Sequence, residues 1–204
     1  KRAVSPEVIC RLMTDRKPLP GKLAFSRDLF VLLFLLRGMP FVDLAFLRRC
    51  DLQGNVITYH RRKTSRKLTV VVGKEAMEII QKYMYAIPDS PYLFPIIQNP
   101  GKDEYGQYAR MLRLQNYRLT QVANILGIRD RLSTYTARHT WATTALRQNY
   151  NSSLICDAMG HSSVKVTETY FQPYRDDEVN RMNSSLITYI LSKKKRGTDK
   201  KIRS

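Results

Sequence analysis

The chain has 204 residues and carries 35 Lys and Arg against 17 Asp and Glu, a formal net charge of +18. With 43% hydrophobic residues, 9 Gly and 9 Pro, it has the composition of one folded domain, with or without an appendage, which excludes a disordered basic tail. Its longest apolar run, Leu29 to Leu36, falls well short of the roughly 20 residues a membrane-spanning helix needs, so the charge points to a densely anionic partner.

Ser5 and Pro6 form a cap and first-turn pair for a helix to about Met13, and Lys17 to Lys22, broken by Pro and Gly, reads as a loop. Ser26 to Leu36 has the apolar density of a buried helix, and after Arg37, Gly38 and Pro40 another runs from about Phe41 to Leu47. Asn55 to His60 and Leu68 to Val72 are β-rich runs flanking Arg61, Arg62, Lys63, Thr64, Ser65, Arg66 and Lys67, a hairpin with a cationic tip. Lys74 to Ala86 reads as an amphipathic helix, and the prolines of Pro88 to Pro100 make that stretch irregular. Helices are expected over Gly106 to Ile125, Thr136 to Gln148, Ser153 to Met159 with Gly160 as terminator, a short one around Val164 to Tyr170, and a last from Asp176 to about Leu191. The expected fold class is mainly α with one small antiparallel β-sheet (α+β).

The surplus charge is confined to three blocks. Phe46 to Lys67, Gln107 to Arg147 and Ser192 to Ser204 each hold seven basic residues and one acid, and the rest of the chain is neutral. The last block is a solvated tail; the other two lie in folded sequence and would form one phosphate-binding face if they converge. Arg61, Arg62, Arg66, Lys67, Arg110 and Arg113 are the candidate DNA contacts. Three scattered cysteines, Cys10, Cys50 and Cys156, point to a reducing compartment and away from a zinc site. A chain that begins at Lys1 without an initiator Met or leader pattern is expected to be a fragment whose preceding segment has been removed.

Four stretches carry chemistry when read together: Leu36-Arg37-Gly38-Met39-Pro40-Phe41-Val42-Asp43-Leu44; Arg62-Lys63-Thr64; Tyr135-Thr136-Ala137-Arg138-His139-Thr140-Trp141; and Met159-Gly160-His161-Ser162-Ser163 followed by Thr169-Tyr170-Phe171. With these motifs the chain resembles the tyrosine recombinases, the phage-integrase type of site-specific DNA recombinase, over about Ser26 to Tyr174. The Leu36-Arg37-Gly38-Met39 run is similar to that of integrases from Bacteroides-type mobile elements.

The resemblance implies that family's catalytic-domain fold over residues 1–191, a helix at 176–191 that docks on a neighbouring protomer, a basic tail at 192–204, and an absent N-terminal DNA-binding domain. It implies that Tyr170 attacks the scissile phosphate to give a 3′-phosphotyrosine link, that Arg138 grips non-bridging oxygens, that His161 donates to the same phosphate, and that Lys63 protonates the leaving 5′ oxygen. Metal-free strand cleavage needs this division of labour among nucleophile, cations and acid. Lys67 is a substitute for Lys63, and His139 reads as a structural hydrogen-bonder. No metal or nucleotide cofactor is implied; the partner is double-stranded DNA, with four protomers on two paired sites, in the bacterial cytoplasm at the nucleoid.

Two departures qualify the match. Tyr135 stands where the family has His; its hydroxyl can hydrogen-bond a phosphate oxygen but cannot act as a base near pH 7. Pro40 stands where the family's first arginine belongs, and Arg37, about one helical turn earlier, is the candidate replacement, with Asp43 orienting the arginine or bracing the helix. A type IB topoisomerase-like nicking and rejoining enzyme, or a DNA-binding protein with a decayed site, are the alternatives.

Overall fold

The structure is a computed structural model that describes residues 3–163, 165, 167 and 180–188. In chain order the elements are α1 (Pro6–Thr14), α2 (Gly21–Leu35), α3 (Phe41–Ala45), a 3-10 turn (Arg49–Asp51), β1 (Leu52–Gln53), β2 (Val56–His60), β3 (Lys67–Val71), α4 (Lys74–Tyr83), α5 (Glu104–Leu126), α6 (Thr134–Arg147) and α7 (Ser152–Met159). This is the mainly helical architecture with a small antiparallel sheet that the sequence predicts.

Apolar residues recur all round α2, so it is the buried centre: Leu29, Phe30, Leu32 and Leu33 have no exposed surface, and α1, α4, α5 and α6 pack around it. It begins at Gly21, earlier than the expected Ser26. Pro20 takes the cap position and its carbonyl accepts from the amides of Leu23 and Ala24 at 2.8 and 2.9 Å, so part of the expected loop is already helical. At its other end Arg37 and Gly38 both adopt positive φ, 60° and 66°, which breaks the helix and turns the chain into α3.

The sheet has the order β1-β2-β3, with Tyr59 opposite Leu68 and His60 opposite Lys67 in the β2–β3 hairpin. Strand β1 was not expected, since two residues leave no alternation to read. The hairpin tip closes through the Arg61 amide on the Arg66 carbonyl, 2.9 Å, and the Ser65 amide on the Arg61 carbonyl, 2.7 Å. Helix α3 ends at Ala45 and α4 at Tyr83, each short of its expected end. Residues 88–100 carry no helix or strand, yet Leu93, Phe94, Ile96 and Ile97 are buried there.

Residues up to Tyr170 form one compact unit and Phe171 onward a second. In the second, residues 180–188 are helical, with Met182, Leu186 and Ile187 exposed. The helix expected at 164–170 is described only at residues 165 and 167, both helical; Tyr170 and the tail at 192–204 lie outside the described residues. Among the described residues no helix is long and apolar enough to cross a membrane.

Candidate active site

Helix α6 starts where Ser133 caps it, its hydroxyl accepting from the Thr136 amide, while Asn116 of α5 accepts from the Thr134 amide at 2.9 Å. That start fixes the rotation of α6, placing Arg138 in the interior, only 3% exposed. Its fork reaches three acceptors of the chain: Nη1 donates to the Gly38 carbonyl at 2.5 Å, and Nη2 to the Met159 carbonyl at 3.0 Å and to Nε2 of His161 at 2.7 Å. The positive φ of Gly38 lets its backbone come this close, since a β-carbon there would lie 3.1 Å from Cα of Arg138.

Helix α7 ends on Gly160, whose φ of 64° allows the Gly160 amide to reach the Asp157 carbonyl and the His161 amide the Cys156 carbonyl. The turn delivers the His161 ring to Arg138, 4% exposed, with Nδ1 2.8 Å from Oγ1 of the fully buried Thr167. Arginine only donates, so Nε2 of His161 accepts from it, and the ring's proton sits on Nδ1 and goes to Thr167. Burial, then the cations of Arg138, Arg61 and Lys63, hold the imidazole down to about 4, so His161 is neutral at pH 7.

The unfolded chain therefore takes up a proton, between the ordinary histidine value near 6.5 and about 4, that the folded chain does not. Stability is complete above that window and falls as pH falls through it. Urea unfolding at pH 7 and pH 5 is expected to show a loss of about 2 kcal/mol from this group, absent in His161→Gln.

The hairpin tip is tied to the same turn. Arg61 donates to the Gly160 carbonyl at 2.5 Å, Thr64 to that oxygen at 3.4 Å, and Arg66 to the His161 carbonyl at 3.2 Å and to Asp157 at 3.0 Å. Asp43 of α3 receives the tip from below: Oδ1 accepts from the Arg62 amide at 3.0 Å, and Oδ2 lies 3.6 Å from Nε of Arg61. Burial raises the Asp43 carboxyl above its ordinary value, against the pull of the Arg62 amide and of Arg61 and Arg138. Lys63 is left exposed at the apex.

These elements enclose a pocket of about 260 Å³ lined by Arg61, Lys63, Tyr135, Arg138, His161 and Asp43, with Pro40 and Ser162 beside them. Two guanidiniums, a lysine, an imidazole and a phenol around one small space suit a tetrahedral dianion or monoanion. Tyr135 is exposed and stands edge-on to the His139 ring, centroids 4.5 Å apart.

Of the residues predicted from sequence, Lys63, Tyr135, Arg138 and His161 meet here, and Arg37 does not. The turn at Arg37 and Gly38 sends the Arg37 guanidinium to the Thr69 carbonyl at 3.2 Å, and its side chain lines a separate groove with Phe34 and Trp141. The guanidinium beside Arg138 comes instead from Arg61, expected as a DNA contact and here 7% exposed and paired with Asp43. Spacing along the motif could not single it out from the cations around it; a buried carboxylate in α3 could have. Arg66, also expected on DNA, is exposed and donates to the His161 carbonyl and to Asp157. Arg62 stacks over the Phe46 ring at 3.8 Å with its charge exposed, Lys67 is exposed, and Arg110 and Arg113 lie on α5 with Arg110 3.8 Å from Asp103.

Comparison with known proteins adds to this geometry. The phage integrase family model matches residues 3–176. The tyrosine recombinase XerC of Thermodesulfovibrio yellowstonii is 26% identical over 167 residues, covering 75% of this chain; the chain spans about half of that relative's length, 52%. Among solved structures, the Tn1549 transposon integrase bound to transposon right-end DNA superposes with a TM-score of 0.68 at 14% identity, covering 91% of this chain and 66% of that one. The XerH recombinase in a pre-cleavage complex with its difH substrate gives 0.67 at 15% identity, covering 90% and 54%. XerA recombinase gives 0.61 at 20%, covering 90% and 64%. At these identities the superpositions speak for the fold, whereas the family model covers most of the chain, and on that match the chain belongs to the phage integrase family, the tyrosine recombinases.

Proposed function

We propose that this chain is the catalytic domain of a site-specific DNA recombinase that cuts and rejoins strands through a 3′-phosphotyrosine intermediate. The observation that carries this reading is the convergence of Arg138, Arg61, His161 and Lys63 on one pocket the size of a phosphate and its flanking atoms. Tyr170, outside the described residues, is the nucleophile. Its phenolic oxygen attacks the scissile phosphorus and its proton passes to water; the bond from phosphorus to the 5′ oxygen breaks, and Lys63 protonates that oxygen as it leaves. Arg138 and Arg61 hold the non-bridging oxygens, where negative charge grows, and the Tyr135 hydroxyl donates to one of them from the rim. Asp43 aims Arg61. The bond energy stays in the phosphotyrosine until a 5′ hydroxyl attacks it, so the step calls for no metal or nucleotide.

The test is a covalent trap on nicked duplexes taken from the DNA flanking the chain's own coding element. Wild type is expected to give a protein–DNA adduct on a denaturing gel and Tyr170→Phe none; an adduct that persists in the variant removes Tyr170 from the reaction. Cleavage at one defined position separates a recombinase from a relaxing enzyme, which cuts without a preferred site.

Double-stranded DNA is the partner this reading requires, with Arg62, Lys67, Arg110 and Arg113 as phosphate contacts. Exchange between two duplexes needs four protomers, and the exposed Met182, Leu186 and Ile187 give residues 180–188 an apolar face to dock on a neighbour. Ending the chain after Tyr174 is expected to abolish higher-order complexes on DNA in sedimentation while leaving the melting temperature unchanged; complexes of unaltered size count against the docking role.

A further inference from the structure

His161 is held in a state that does not suit its proposed task. Its Nε2, the atom turned to Arg138 and the pocket, accepts a hydrogen bond and carries no proton, whereas a phosphate oxygen requires a donor there. The proton rests on Nδ1, directed at Oγ1 of Thr167, which is 2.8 Å away and fully buried. What the ring can become depends on that neighbour. A carbonyl or carboxylate in its place would only accept and would lock the proton on Nδ1, as a fixed acceptor does for many catalytic and metal-bound histidines. A hydroxyl has both lone pairs and a rotatable hydrogen, so it serves either tautomer equally.

The geometry points to Thr167 as a positioning residue that acts through His161, its hydroxyl reversing from acceptor to donor so that the ring can present a protonated Nε2 to the bound phosphate. In the resting site, Arg138 donates to Nε2 and Nδ1 donates to Thr167. When a phosphate draws the Arg138 fork to its own oxygens, Nε2 loses that donor and faces an anion. Nδ1 then gives its proton to water, Nε2 takes one from water, and the Thr167 hydroxyl turns to donate to Nδ1. The ring stays neutral throughout, so no charge is added to a site already crowded with Arg138, Arg61 and Lys63. Thr167 lies three residues before Tyr170 in the sequence, so the ring's partner and the nucleophile share one short segment. This inference rests on the recombinase reading.

The experiment uses the full chain with isotope-labelled histidine and nitrogen NMR, the His161 signals being identified by their loss in His161→Gln. Without DNA, His161 is expected to be protonated at Nδ1. In a Tyr170→Phe background bound to a nicked duplex, it is expected to be protonated at Nε2. A ring that keeps its Nδ1 proton, or that becomes doubly protonated on binding, overturns the proposal. In the covalent trap, Thr167→Val is expected to slow adduct formation by about 10–100-fold, the size of loss seen when the hydrogen-bond partner of a metal-ligating histidine is removed. Its DNA affinity should be unchanged, and Thr167→Ser should recover the rate. Wild type without an adduct overturns the recombinase reading and this one together; a wild-type adduct that forms equally fast in Thr167→Val overturns this one alone.

Discussion

Replacing Arg138 by alanine is expected to slow covalent strand cleavage by about 10²–10³-fold, the loss typical of removing one preorganised donor from a developing oxyanion. The effect on the fold should be large as well. The side chain is buried and satisfies the Gly38 and Met159 carbonyls and His161 at once, and each buried acceptor left without a donor costs about 1–3 kcal/mol. Arg138→Lys should be nearly as poor an enzyme, because an ammonium is a point charge and cannot span acceptors spaced for a planar fork. Two readouts separate chemistry from stability: the melting temperature of each variant, and rescue of Arg138→Ala by added guanidinium ion. Recovery of adduct formation with guanidinium, without recovery of melting temperature, assigns the group to the phosphate.

Arg61→Met is expected to destabilise the chain by about 3–5 kcal/mol, because it strands the Asp43 carboxylate, itself 3% exposed, without its counter-charge. Adding Asp43→Asn should return part of that loss, with a coupling of about 1–3 kcal/mol in a double-mutant cycle read by urea midpoints. The same variants decide which arginine works in the pocket. Arg61→Met should lose cleavage, and the double variant, though better folded, should not regain it. Arg37→Ala should cut at the wild-type rate, since that guanidinium is engaged on the Thr69 carbonyl. A slow Arg37→Ala beside an active Arg61→Met returns the role to Arg37.

The contrast between those two arginines shows what the sequence makes legible. Helical period, the Gly160 terminator and the basic run between two β-rich segments are local signals, and the helices, the hairpin and the turn carrying His161 follow from them. Arg138 and His161, 23 residues apart in sequence, were legible because both sit at motif positions that a helix and its end place rigidly. Arg37 was not legible in the same way: positive φ at Arg37 and Gly38 ends the helix there, so a helical turn does not relate Arg37 to Pro40, and its guanidinium meets the Thr69 carbonyl. Arg61 was missed as a pocket residue for the opposite reason. Its neighbours Arg62, Lys63, Arg66 and Lys67 share its charge and local pattern, and what turns it inward is the long-range contact with Asp43 and the Gly160 carbonyl. The early start of α2 belongs with these, because Pro and Gly read as breakers until Pro20 is seen as a cap.

On the proposed role of Lys63 as the acid, the anchoring of the hairpin tip bears on how fast it works. With Arg61, Thr64 and Arg66 all ending on the Gly160–His161 turn that follows α7, the tip and that turn move as one piece, and backbone opening would have to break several hydrogen bonds together. The Lys63 stem stands exposed at the apex of that piece. Delivering a proton is then a matter of rotamer hops, which take picoseconds to nanoseconds at an exposed side chain. A scissile phosphate seated slightly off its ideal place is met by a different lysine rotamer, at no cost to the scaffold and on a timescale far shorter than any chemical step at phosphorus.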